Sequence, residues 1–71
     1  MKICIIGLGV FGKNLAFQLS SLGIEVLAVD RKEENVAVVK DAVEAVAVMD
    51  PMDTTALAEL PIGDMDAVIV G

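Results

Sequence analysis

The chain lacks histidine, tyrosine and tryptophan, and its only aromatic residues are Phe11 and Phe17. Together with lysines that fall at the chain start or on expected helix surfaces, this leaves no nucleophile with a base and no metal cluster. No catalytic residue is expected in these 71 residues, and the chain reads as a binding module rather than an enzyme. Basic residues are scarce as well, five against eleven acidic ones, for a formal charge of −6. Nucleic acid is therefore excluded as a partner, because phosphates need a basic stripe and bases need exposed rings. A small anion would have to be held by backbone N–H groups at a helix end. Cysteine occurs once, at Cys4, so no internal disulfide forms, and no secretory leader pattern is present; a cytoplasmic location is expected. No apolar run approaches the roughly 18 residues that cross a bilayer, so direct membrane insertion is not expected.

What the chain has in abundance is Val, Ala, Ile and Leu, within a hydrophobic content of 56%. Such a composition must bury a core, although a chain of this size buries only about 60% of its unfolded surface. Ile3-Cys4-Ile5-Ile6 is a continuous apolar run ending at Gly7, as in a parallel strand covered on both faces. From Val10 to Leu22 the period changes, and Phe11, Leu15, Leu19 and Leu22 mark the expected inward face of a helix. Gly23 sits where a helix C′ residue belongs. Val26 to Val29 is a second strand closed by Asp30, and the charged segment 31–41 carries Val36 and Val39 on the buried side of a second helix.

Ala45 to Met49 makes a third strand, stopped by Asp50-Pro51. Asp53 or Thr54 caps a short third helix with Leu57 and Leu60 inward, "PIGD" breaks it, and Ala67 to Val70 is a fourth strand. Strictly alternating strands and helices imply an α/β fold: a parallel, doubly wound, Rossmann-like sheet with right-handed crossovers and strand order 3-2-1-4. The fourth strand stops at Gly71 where another strand-to-helix joint would begin, so residues 1–71 are expected to be the N-terminal part of a truncated domain. An uncovered apolar fourth strand would otherwise invite pairing with a second copy.

Glycines at 7, 9 and 12 form G-x-G-x-x-G at the first strand-to-helix joint. The motif alone is weak, arising by chance in roughly 2% of chains of this length at ordinary glycine usage. Placement strengthens it, because a strand precedes, a helix follows, and Asp30 closes the next strand 18 residues after Gly12. Gly7 would permit the tight turn, Gly9 the approach of a pyrophosphate, and Gly12 close packing of helix on strand. Asp30 would accept hydrogen bonds from a ribose diol and disfavour a 2′-phosphate. Arg31 has two readings, a phosphate or adenine contact and a solvated helix-start charge. Asp50 likewise reads as an adenosine contact or as a turn residue before Pro51. Asp53 is better read as a helix cap, Cys4 as core, and Met49 and Met52 as gap-fillers or adenine-pocket lining.

The stretches "IIGLGVFGKNLAFQLSSLGIEVLAVDRKEENV" and "VAVMDPMDTTALAELPIGDMDAVIVG" resemble the N-terminal half of a TrkA-N domain, also called KTN or RCK. The likeness covers essentially the full length. The resemblance implies a cytoplasmic regulatory subunit that binds NAD(H), ATP or ADP and assembles as dimers, up to an octameric ring. It further implies docking on a membrane potassium-translocating subunit, which places the protein at the inner face of the membrane through its partner. Carried over by position, Gly7, Gly9 and Gly12, with Val10 and Phe11 between them, would meet the phosphates, Asp30 the ribose and Asp50 the adenosine. Val10 stands where many relatives have a basic or polar residue able to reach a terminal phosphate. Pro61 replaces a common glycine, and Asp50-Pro51-Met52-Asp53 only loosely keeps the family's aspartate-rich turn. The other reading that the residues leave open is the NAD-binding half of an oxidoreductase.

Overall fold

A computed structural model describes all of residues 1–71. Four parallel strands, β1 (Lys2–Ile6), β2 (Glu25–Asp30), β3 (Ala45–Val48) and β4 (Ala67–Val70), alternate with helices α1 (Val10–Ser21), α2 (Glu33–Val39) and α3 (Thr54–Ala58). Their order across the sheet is β3-β2-β1-β4. The chain is thus an α/β domain of the Rossmann-like type, with its connections reversing direction at β1.

Register sorts the side chains into two layers. Cys4 lies beside Leu27 and Val68, and Leu27 beside Ala45, so these residues point to one face of the sheet. Ile3, Ile5, Val26 and Ala28 point to the other, where Ala16, Val36 and Val39 pack on them from α1 and α2. On the first face Cys4, Ile6, Leu27 and Val29 meet Leu57, Leu60 and Met65. Apolar runs without alternation follow from this double coverage, since each residue of β1 after Lys2 is buried whichever way it points.

The inward face of α1 differs from the expected one. Gly12 and Ala16 are buried, Leu15 and Leu19 only partly so, and Phe11 and Leu22 stay 65% and 74% exposed. The cause is the closeness of α1 to the sheet: a Cβ on Gly12 would lie 2.1 Å from the Gly7 carbonyl oxygen. Only the smallest side chains fit that contact line, so the large ones are displaced to the flanks, and Leu22 already belongs to the C-cap. Gly23 follows with φ +83, the left-handed conformation that ends the helix.

At α3 the Asp53 carboxylate accepts hydrogen bonds from the Thr55 and Ala56 N–H groups at 3.0 and 3.2 Å. Asp53 is therefore the cap, not Thr54. Replacing it (Asp53→Ala) should lower stability by about 1 kcal/mol in urea unfolding, because α3 is too short to persist without its first-turn bonds.

Candidate functional site

The turn after β1 is tight because Gly7 adopts φ +98 and its N–H donates to the Val29 carbonyl at 2.8 Å. A side chain there would be strained, and its Cβ would also meet the Gly71 carbonyl oxygen at 2.7 Å. Gly12 is required by the packing of α1 just described. Gly9 differs from both. Its φ of −69 suits any residue, and a Cβ on it would meet nothing within 4 Å. As N-cap it offers no side-chain acceptor, where Ser, Thr, Asp or Asn would cap better. Nothing within the fold calls for glycine at this position.

The N–H groups of Gly9, Val10, Phe11 and Gly12 have no backbone acceptor; the first bond of the helix is Lys13 N–H to Gly9 C=O at 2.9 Å. Free donors at a helix start carry about half a positive charge and suit an anion. Val10 and Phe11 leave their side chains in solvent, so they contribute amides rather than charge.

Asp30, 9% exposed at the tip of β2, brackets the site. Its Oδ2 accepts from the Leu8 N–H at 2.7 Å and its Oδ1 from the Lys32 N–H at 2.8 Å. Burial works against its charge, but the N–H groups of Lys32 and Leu8 outweigh it, with lesser help from the Asn35 side chain and the Arg31 N–H; the carboxyl is held below the usual range. The link between Asp30 and Leu8 was not legible in the sequence. Its only signal is a large apolar residue between two glycines, and Leu8 is in fact fully buried.

A cavity of about 330 Å³ opens where all four strands end. Gly7, Asp30, Arg31 and Asp50 line it, with Met52 and Val70 on its rim. It sits at the reversal of strand order, where open α/β sheets take their ligands. Asp50 is a turn residue, its Oδ1 accepting from the Met52 N–H at 2.9 Å, and it also lines the cavity. Arg31 is exposed on the lining and is the only cation there. Gly9, Val10, Phe11 and Gly12 lie outside the lining proper, beside Gly7 at the start of α1. Met49 packs in the core while Met52 is exposed on the rim. Cys4 is fully enclosed and burial pushes its thiol up, away from reactivity.

The TrkA-N domain family matches residues 3–71. The chain belongs to that family. TrkA-N domains are NAD-binding Rossmann domains. The uncharacterized protein MG323 homolog of Mycoplasma pneumoniae is 35% identical over 68 residues, which cover 96% of this chain and 29% of that protein. The chain therefore spans less than a third of the length of that relative. Among solved structures, apo saccharopine dehydrogenase (L-Glu forming) from Saccharomyces cerevisiae superposes with a TM-score of 0.77 at 24% identity, covering 97% of this chain and 16% of the enzyme. At that identity the likeness is one of fold.

Two outcomes follow for the TrkA-N domain. Gly12→Ala should destabilise by about 1–3 kcal/mol or more, because the obstacle is backbone, while Gly9→Ala should stay within about 0.5 kcal/mol of the parent; urea midpoints decide both. Asp30 is depressed on folding, so its contribution is present above the unfolded carboxylate pKa of about 3.9 and lost as pH falls through the lower folded value. Asp30→Asn should cost about 1.5–3 kcal/mol at neutral pH, with the difference from the parent shrinking below about pH 4 in acid titrations of stability.

Proposed function

We propose that this TrkA-N domain is a regulatory nucleotide sensor, not an enzyme, and that its ligand is NAD(H) or an adenosine nucleotide (ADP or ATP). One observation carries the reading: Gly9 is bare although neither backbone angle nor packing requires it, beside unpaired amides and a cavity of about 330 Å³. A pyrophosphate approaching those amides supplies the missing reason for the glycine. The ribose diol would lie toward Asp30 and the adenine toward Asp50 and Met52, all of which line the cavity. A buried carboxylate favours a free 2′-hydroxyl over a 2′-phosphate. Val10 offers no cation for a third phosphate, which favours NAD(H) and ADP over ATP.

The family resemblance extends the proposal to partners. The domain would act in the cytoplasm, in a homo-oligomer built from dimers and extending to an octameric ring, on a membrane potassium-translocating subunit. No helix of the chain is long and apolar enough to cross a membrane. Ligand control requires that the nucleotide bind two arrangements of the assembly with different affinity.

Isothermal titration of the full chain with NAD⁺, NADH, ADP and ATP tests the ligand. Gly9→Ala should weaken the best of them about tenfold or more, roughly 1.4 kcal/mol, with an unchanged urea midpoint. Unaltered affinity in that variant, or no binding by any of the four, would remove the assignment. Potassium flux that ignores the same variant would leave a nucleotide-binding domain without the regulatory role.

A further inference from the structure

A fourth glycine, Gly71, packs against the first strand-to-helix turn from the end of β4. Its N–H donates to the Ile6 carbonyl at 2.8 Å, one step beyond the register pair of Ile6 with Val70, so the β1–β4 ladder fixes its place. A Cβ on Gly71 would lie 3.1 Å from the Gly7 carbonyl oxygen. That is inside the roughly 3.3–3.6 Å at which carbon meets a carbonyl oxygen. The same oxygen already touches Gly12, where an added Cβ would stand closer still. Glycines from the turn, from α1 and from β4 therefore converge on one carbonyl, and no backbone N–H donates to it. The other end of that peptide is the Leu8 N–H, which donates to Asp30 Oδ2 at 2.7 Å. A peptide unit is planar, so pushing its oxygen swings its N–H as well. Moving β4 aside instead would give up the Gly71 bond to Ile6.

We infer that Gly71 is a positioning residue of the nucleotide site. Its bare Cα lets the Gly7–Leu8 peptide keep its N–H on Asp30, and that peptide in turn aims the unpaired amides of Gly9, Val10, Phe11 and Gly12. The ligand in this inference rests on the nucleotide reading; the geometry does not. Gly71 also lines the cavity beside Gly7, so the wall that β4 gives the site ends in backbone. Its task differs from that of Gly9: Gly9 leaves room for the ligand, whereas Gly71 leaves room for the turn. Through one carbonyl, the end of β4 and the anion-facing amides are set together.

Amide NMR spectra of the full chain, titrated with NAD⁺, ADP and adenosine, test it. Gly71→Ala should weaken NAD⁺ or ADP, whichever binds the parent tighter, about 3- to 10-fold. Adenosine has no phosphate for the amides, and its affinity should change by less than about twofold. Without ligand, the Leu8 amide proton of Gly71→Ala should move upfield as its bond to Asp30 lengthens. Gly63→Ala, at a glycine with open space around it, should alter neither affinity nor that resonance. Equal losses for adenosine and the phosphorylated ligand would reduce Gly71 to a general structural role and overturn the inference. So would an unmoved Leu8 resonance, or a Gly71→Ala chain that no longer folds. A parent protein that binds none of the three ligands removes the nucleotide reading and, with it, the ligand named here, while the Leu8 resonance still decides whether Gly71 holds the turn.

Discussion

The carboxylate of Asp30 holds the working end of this domain together. One oxygen takes the Leu8 N–H inside the first strand-to-helix turn, and the other takes the Lys32 N–H at the start of the second. Both donors would otherwise be amides turned inward from turns with no strand partner, and leaving such a group unmet is costly. The charge survives burial because the N–H dipoles converge on it. Two crossovers are thereby fixed relative to each other by a single side chain. The distance between the amides at the start of α1 and the tip of β2, which decides what ligand can span them, depends on that bracket.

Around this anchor the three glycines answer three different demands. Gly7 is a backbone requirement, Gly12 a packing requirement, and Gly9 neither. A motif that looks uniform in one dimension therefore divides, in three, into two residues that make the fold and one that the fold leaves unexplained. The packing demand also reshapes α1. Because its axis lies so close to β1, the helix presents Gly12 and Ala16 to the sheet and carries Phe11 at its flank, near the end of β4.

The strands give the domain two chemically distinct ends. At their carboxyl ends the reversal of strand order opens a crevice lined by Gly7, the buried carboxylate of Asp30, Arg31 and Asp50, with the unpaired α1 amides beside it. At their amino ends Lys2, Glu25 and Glu44 stand around a smaller hollow lined by Leu27, Ala45, Pro61 and Met65. The net charge of −6 is thus not a uniform coat. The α1 amides and Arg31 offset it locally at one end, and Lys2 at the other.

Sequence alone determined the element order, the parallel sheet, the layering of Val36 and Val39 under α2, the helix end at Gly23 and the position of Asp30. Each rests on local patterns, such as period, apolar run length or a residue with few allowed conformations, that survive reading in one dimension. Tertiary structure decided the rest. It moved Phe11 and Leu22 out of the core, because helix-to-sheet distance is set by a contact between Gly12 and Gly7 that periodicity does not encode. It turned Asp30 into a bracket, because the Leu8 amide comes to it across 22 positions of chain. It singled out Gly9, and it gathered Asp30, Arg31 and Asp50 on one cavity, because only parallel register brings the ends of separate strands side by side.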